Sequence, residues 1–255
     1  MGITIAIANQ KGGVAKTTTA VNLSACLSYY KKNVLLIDLD PQGNASSGLG
    51  IDKLRLDRCI YDVLVNNVPA SKVILQTERQ GLSIIPAKVA LAGAELELVA
   101  AISREMRLKN ALEEIRNDFD YIIIDCPPSL GLLTLNSLTA ADRFLVPIQC
   151  EYYALEGLTQ LLNTIKLVQK NLNPKLTMEG ILMTMYDNRI NLANQVVEDV
   201  RGKFGDKVFE TLIPRNVRLS EAPSYGKSII DYDPRSKGAE TYLSLAKEVI
   251  KHGQE

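Results

Sequence analysis

The 255-residue chain has no tryptophan and one histidine, His252, and its 29 basic residues are matched by 29 acidic ones. With one histidine, and with Cys26, Cys59, Cys126 and Cys150 scattered outside any C-x-x-C pair, neither a histidine–cysteine metal centre nor a disulfide framework is indicated. The thiols read instead as reduced and buried. Zero net charge removes any global field that would attract nucleic acid or an anionic membrane, so a DNA contact needs a local basic patch. No apolar run approaches the roughly 18 residues of a membrane span. The N-terminal stretch lacks the charged region and cleavage site of a secretory signal. Met1-Gly2 opens like a myristoylation motif, but Ala6 stands at its Ser/Thr position. The expected location is therefore the cytoplasm, with no membrane partner, and no repeat or low-complexity segment is visible.

What the chain does have is apolar residues, 46% of the total, enough to bury a full core in one domain over 1–255. They fall in short continuous runs: Ile3–Ala8, Val34–Ile37, Leu82–Ile85, Tyr121–Ile124, Phe144–Ile148, Ile181–Met185 and Val208–Ile213. Strands this evenly apolar suit a parallel sheet covered on both faces. Helical patterns over Lys16–Tyr30, Arg107–Asn117, Leu155–Asn171, Leu192–Phe204 and Lys237–Lys251 supply the crossovers. The last carries Tyr242, Leu245, Ala246, Val249 and Ile250 on one stripe. Having no Trp or Phe, it reads as a helix packed on the sheet rather than on lipid. Residues 43–64 are the least regular and are expected to be a mobile loop with a short helix. The fold class is α/β: a doubly wound, mostly parallel sheet with helices on both faces, its ligand site beyond the carboxyl ends of the strands.

Three motifs fall at those ends. Lys11-Gly12-Gly13-Val14-Ala15-Lys16-Thr17-Thr18 sits between the first strand and first helix, the context of a phosphate-binding loop. Backbone N–H groups there converge on an anion, Lys16 brings a point charge to β/γ-phosphates, and Thr17 offers a hydroxyl to Mg²⁺. Asp38 and Asp40, in Asp38-Leu39-Asp40-Pro41-Gln42-Gly43-Asn44, emerge together at a strand end. Either can face the nucleotide, the metal or the attacking water, and one can instead cap the next helix. Asp125, closing the run Tyr121–Ile124, reads as the acid that holds Mg²⁺ across from the phosphates, often through water. Pro127-Pro128 stiffens the exit from that strand, as suits a γ-phosphate sensor.

These motifs, with Gln149-Cys150-Glu151-Tyr152-Tyr153-Ala154-Leu155-Glu156-Gly157 and Pro214-Arg215-Asn216-Val217-Arg218-Leu219-Ser220-Glu221-Ala222-Pro223, resemble the ParA/Soj chromosome- and plasmid-partitioning ATPases. Those are P-loop NTPases of the deviant Walker-A class that also contains MinD. The resemblance runs from residue 2 to about 250 and implies ATP and Mg²⁺ as ligands. ATP would close two subunits into a homodimer, with Lys11 reaching the partner's phosphates in the manner of an arginine finger. Lys16 would act in cis, Thr18 would meet the α-phosphate, and Asp40 would orient the hydrolytic water. Thr17, Asp40 and Asp125 would serve the metal, and Pro214 and Asn216 the base.

The resemblance further implies that the closed dimer binds double-stranded DNA without sequence preference, becoming nucleoid-associated, and that a ParB-type protein stimulates hydrolysis and releases it. Arg189 and Arg218 are the leading DNA contacts, followed by Arg215, Lys203 and Lys227. Rival readings are a membrane-associated ATPase of the MinD kind, a redox ATPase resembling the nitrogenase iron protein, and a phosphate-loop module that binds without hydrolysing. The departure from the family's pattern is Ala15, where the common motif has its last glycine. If that position needs a left-handed backbone, the Cβ costs on the order of 1–2 kcal/mol and handicaps nucleotide binding, dimer closure or turnover.

Overall fold

The computed structural model describes residues 2–151 and 154–254. Tyr152 and Tyr153, which belong to one of the motifs above, lie outside the described residues. One sheet contains β1 (Ile3–Ile7), β2 (Val34–Asp38), β3 (Leu75–Gln76), β4 (Leu82–Ile85), β5 (Tyr121–Asp125), β6 (Arg143–Gln149) and β7 (Thr177–Thr184). Their order is β3-β4-β2-β5-β1-β6-β7, and every pairing is parallel except β3 with β4. The longer helices are α1 (Lys16–Tyr29), α2 (Leu132–Ala140), α3 (Ala154–Asn171), α4 (Asn191–Phe204) and α5 (Lys237–His252).

Strand alternation sends neighbouring residues to two separate cores. Ile5, Ile7, Leu36 and Ile123 enter the layer shared with α1 and α5, whereas Ala6, Ile37, Ile124 and Val146 enter the layer on the other face. Both faces being covered explains why the strands read as unbroken apolar runs. The stripe on α5 is spent inside the protein: Tyr242, Leu245, Ala246 and Val249 are buried, and the Tyr242 hydroxyl lies 3.2 Å from Thr19 Oγ1 on α1. Among the described residues no helix is long and apolar enough to cross a membrane.

The expected strand Val208–Ile213 is not formed. The segment meets β7 at the parallel Ile181–Val208 bridge and through the Ile213 N–H on the Met183 carbonyl at 2.9 Å, and meets the chain beyond β7 at the Tyr186–Pro214 bridge. Between them the Glu248 carboxylate of α5 takes the amides of Glu210 and Thr211 at 2.8 and 3.0 Å, diverting the Thr211 donor that would continue the pairing made by Phe209 and Ile213. Likewise Arg107–Asn117 splits into a helix at Arg107–Leu112 and a 3₁₀ turn at Arg116–Asp118. Glu113 and Glu114 lie where a helix C-terminus disfavours negative charge. The irregular stretch 43–64 holds two short helices, Asn44–Gly48 and Ile60–Leu64.

On β7 the register with β6 slips between Phe144/Leu145, so Glu179 is the extra residue. Its fully buried carboxylate receives Arg143 Nη1 at 2.8 Å and lies 3.1 Å from His252 Nδ1, tying the end of α5 to the sheet edge. Gly180, the next residue, leaves room for Phe209: a Cβ there would lie 2.5 Å from the ring. Gly180→Ala is therefore expected to lower unfolding stability by about 1–3 kcal/mol, the usual cost of overpacking, read as a lower urea midpoint at unchanged slope.

Candidate active site

The carboxyl ends of β1, β2 and β5 bring the three motifs together. Ile7 and Asp38 are both register partners of Asp125, and the Leu39 N–H donates to the Asp125 carbonyl at 3.0 Å. The loop from Gln10 to Ala15 then turns over these ends into α1. Gly13 has φ +75°, and a Cβ on Gly12 or Gly13 would meet nothing within 4 Å. That leaves an open cradle in front of the helix N-terminus, where unpaired N–H groups favour an anion. Val14 is buried, and its carbonyl accepts the Thr184 hydroxyl at 3.2 Å, fixing the loop to β7.

Ala15 sits at φ +67°, ψ +32°, in the left-handed region. The condition attached to this residue in the sequence is met: the backbone here favours glycine.

Lys16 is 7% exposed, and its ammonium donates to the Lys11 carbonyl at 2.9 Å, across the loop. Burial lowers its pKa, while Asp125, Cys126 and Asp40 act to raise it. The Lys11 ammonium instead projects outward to Glu151 Oε2 at 2.9 Å. Thr17 and Thr18 open α1.

The acids divide by their hydrogen bonds. Asp38 is buried and accepts three: from Asp40 N–H at 3.2 Å, Ser46 N–H at 2.8 Å and Ser46 O–H at 2.7 Å. Burial nonetheless pushes its carboxyl up to about 6. Asp38 thus anchors the helix Asn44–Gly48 rather than facing the cradle. Asp40 is nearly buried; its Oδ1 accepts Gln42 N–H at 2.9 Å and its carbonyl accepts Gly43 N–H at 2.8 Å. Asp125 is wholly buried, and among the described residues neither of its carboxylate oxygens has a hydrogen-bond partner. Burial, then the charge of Asp38, raises its pKa well above the carboxylate range; the Thr17 hydroxyl, close enough to lower it but outside hydrogen-bond geometry, and Lys16 pull less strongly the other way.

An unbonded buried carboxylate beside a lysine and an open anion cradle fits a divalent cation carried in with phosphates. Among the described residues no group of three His, Cys, Asp or Glu side chains makes a metal cage by itself. That agrees with Mg²⁺, which is usually held by one or two carboxylates plus substrate oxygens and water. All four cysteines are buried, and burial pushes the Cys126 thiol up to about 12 and Cys150 to about 11, as inert structural thiols.

Beside the cradle lies a cavity of about 450 Å³, lined by Ala15, Thr18, Met185, Pro214, Asn216 and Tyr242 among others. Pro214 and Asn216 thus reach the same site as the phosphate loop. Part of the Asn216 side chain is already used, since its Oδ1 accepts Arg218 N–H at 2.8 Å as a helix cap. Met185, at φ +52° with its sulfur 3.0 Å from Gln149 Nε2, and the buried Tyr242 were not expected in the site from the sequence. Both lie in apolar patterns that read as core.

Of the five basic residues, the fold brings Arg189 and Arg215 together. The Tyr186–Pro214 bridge sets the loop bearing Arg189 beside Arg215, and Arg218 follows three residues on, at the start of the helix Val217–Glu221. Arg189 grips Asp187 with both ends of its guanidinium, at 2.9 and 2.7 Å, and holds that carboxyl down to about 2, with a smaller pull from Arg215. Arg218 pairs with Glu221 at 2.9 Å and lies 3.5 Å from Asp233. Lys203 stands at the far end of α4, about 18 Å along the axis from its start, and Lys227 is an exposed residue beyond Gly226.

Because burial raises the folded carboxyl of Asp125 above its unfolded value, the folded protein binds this proton more tightly than the unfolded chain. Stability from this group is therefore present at low pH and lost as pH rises from about 4 upward. In ligand-free protein Asp125→Asn is expected to stabilise by about 1–3 kcal/mol at pH 8, with a smaller gain at pH 5, measured by urea denaturation at both values.

A family model described as an AAA domain matches residues 2–178. The sporulation initiation inhibitor protein Soj of Bacillus subtilis is 64% identical over 99% of this chain and 100% of its own length. The chromosome partitioning protein ParA of Myxococcus xanthus is 58% identical over 98% of this chain and 89% of its own. Among solved structures, cobyrinic acid a,c-diamide synthase from Mycobacterium smegmatis with bound ADP and magnesium superposes with a TM-score of 0.88 at 41% identity, covering 100% of this chain and 96% of that one. With these matches spanning the phosphate loop, both acid-bearing strand ends and the cavity wall, the chain belongs to the Soj/ParA family of partitioning ATPases.

Proposed function

We propose that the protein is an ATP-driven switch for DNA partitioning. Two copies close face to face over ATP, and the closed pair holds double-stranded DNA irrespective of sequence. Hydrolysis, stimulated by a ParB-type partner, opens the pair and releases the DNA. The observation that carries this reading is the open cradle at Gly12 and Gly13 facing a buried, unbonded Asp125. The names of the Soj and ParA relatives support the cargo, and the ADP- and magnesium-bound Mycobacterium smegmatis structure supports the ligands.

In this reading the N–H groups of residues 12–18 receive the phosphate oxygens, with Thr18 nearest the α-phosphate. Lys16 exchanges the Lys11 carbonyl, a neutral partner, for anionic β/γ-phosphate oxygens, a stronger charge-assisted bond. Thr17, Asp40 and Asp125 would hold the metal. A bound Mg²⁺ would supply neutralisation of the charge that develops on the phosphate oxygens. Asp40, its Oδ1 fixed by its own turn, keeps the other oxygen for the attacking water. Lys11 leaves Glu151, an exposed ion pair of small net worth, to reach the partner's phosphates. Pro214 and Asn216 border the base.

Arg189, Arg215 and Arg218 form the core of a DNA face that two subunits double, with Lys203 and Lys227 outlying. Asp187 and Glu221 neutralise part of this charge and must be displaced, which weakens binding, while the counterions released from each neutralised phosphate make it steeply salt-dependent. The protein acts in the cytoplasm and on the nucleoid when ATP-bound. A MinD-like attachment to membrane is the weaker reading, since the apolar stripe of α5 packs inward.

DNA retention across a salt series with ATP, ADP or no nucleotide tests the proposal, with anionic vesicles as a parallel arm. ATP-dependent retention that falls steeply with salt is expected, and Arg189→Ala or Arg218→Ala should weaken binding to every sequence and lower the salt slope by about 1. Equal retention in all three nucleotide states, or capture by vesicles alone, would overturn it. Ala15→Gly relieves the left-handed strain and is expected to raise ATP affinity or turnover up to about tenfold, the equivalent of ~1.4 kcal/mol. No gain in either would remove the handicap assigned to Ala15.

A further inference from the structure

Ser46 lies eight residues beyond Asp38, inside the short helix Asn44–Gly48, and is fully buried. Its hydroxyl does two things at once. It donates to Asp38 Oδ2 at 2.7 Å and accepts the Ala87 N–H at 3.0 Å. A hydroxyl is the small side-chain group that can donate and accept together. Ala87 follows β4, so this one oxygen joins the exits of β2 and β4 to the helix. The other oxygen of Asp38 receives the N–H of Asp40. Asp40 in turn closes its own turn through Gln42 N–H and Gly43 N–H. The segment from 38 to 46 is thus wrapped around one carboxylate, and Asp40 rides on the wrap.

We infer that Ser46 is a positioning residue for Asp40: its hydroxyl, bridging Asp38 and Ala87, fixes where the Asp40 carboxylate stands for hydrolysis. The inference rests on the assignment of Asp40 to the attacking water. Ser46 touches no part of the cradle or the base cavity, so its loss should spare nucleotide binding. Misplacing a reacting group by about 1 Å can cost on the order of a hundredfold in rate. Removing the hydroxyl also strips the Ala87 N–H of its acceptor, and that can be followed without any nucleotide present.

The experiment compares the full-length protein with Ser46→Ala, Ser46→Thr and Asp40→Ala. Ser46→Ala is expected to lower kcat roughly 10–100-fold while ADP affinity, by titration, stays within about twofold. In nucleotide-free Ser46→Ala, amide exchange should quicken at Ala87, Asp40 and Gln42, and Ser46→Thr, which keeps the hydroxyl, should restore turnover and exchange towards the parent. Unchanged exchange at Asp40 and Gln42, or unchanged kcat in Ser46→Ala while Asp40→Ala abolishes turnover, would overturn the inference. Turnover that survives Asp40→Ala would overturn the assignment of Asp40 instead, and the exchange data would still decide whether Ser46 holds the turn.

Discussion

Two carboxylates in register on adjacent strands, Asp38 and Asp125, set the terms for the rest of this molecule. Both are buried, and bringing like charges together in a medium of low dielectric disfavours ionising both. The fold treats them differently. Asp38 is supplied with three donors and becomes a structural post, whereas among the described residues no donor, the nearby Thr17 hydroxyl included, reaches Asp125 in hydrogen-bond geometry, and it stays in tension with its surroundings. Such an arrangement costs stability in the ligand-free protein and is tolerable because Lys16 stands near and because a cation can enter with phosphate.

The phosphate loop carries a second strain of the same kind. Ala15 occupies a left-handed backbone that glycine would take freely, and the Lys16 ammonium rests on a carbonyl instead of an anion. The ammonium gains an anionic partner when phosphate binds, whereas the Ala15 strain stays with or without one. The loop is held from behind by the Val14 carbonyl on Thr184 and from beneath by β1, so the strain is not relieved by rearrangement. Nucleotide then meets a preorganised site, and in the proposed switch its binding energy would serve to close a second subunit.

Much of this was legible in the sequence, for stated reasons. The unbroken apolar runs of β1, β2, β5 and β6 announced a sheet buried on both faces, and the acids after β2 and β5 could only emerge at one edge of it. Ala15 was marked as a departure, and its φ of +67° supplies the reason it matters. Helix α2 was not named because nearly all its residues are buried, so it has no polar stripe to give a 3.6-residue period. The segment 208–213 looked like a strand by composition, and only the distant Glu248 shows why its amides leave the ladder. The division of labour between Asp38 and Asp40 was likewise hidden, since it depends on Ser46 and Ala87 meeting in space.

The most direct measurement of the central claim, that Asp125 is left unbonded in order to serve a cation, is calorimetric titration of ADP with magnesium and with chelator. The account predicts that magnesium strengthens ADP binding on the order of tenfold or more in the parent protein and hardly at all in Asp125→Asn, with binding in chelator alike in both. An equal magnesium effect in the two proteins would contradict it.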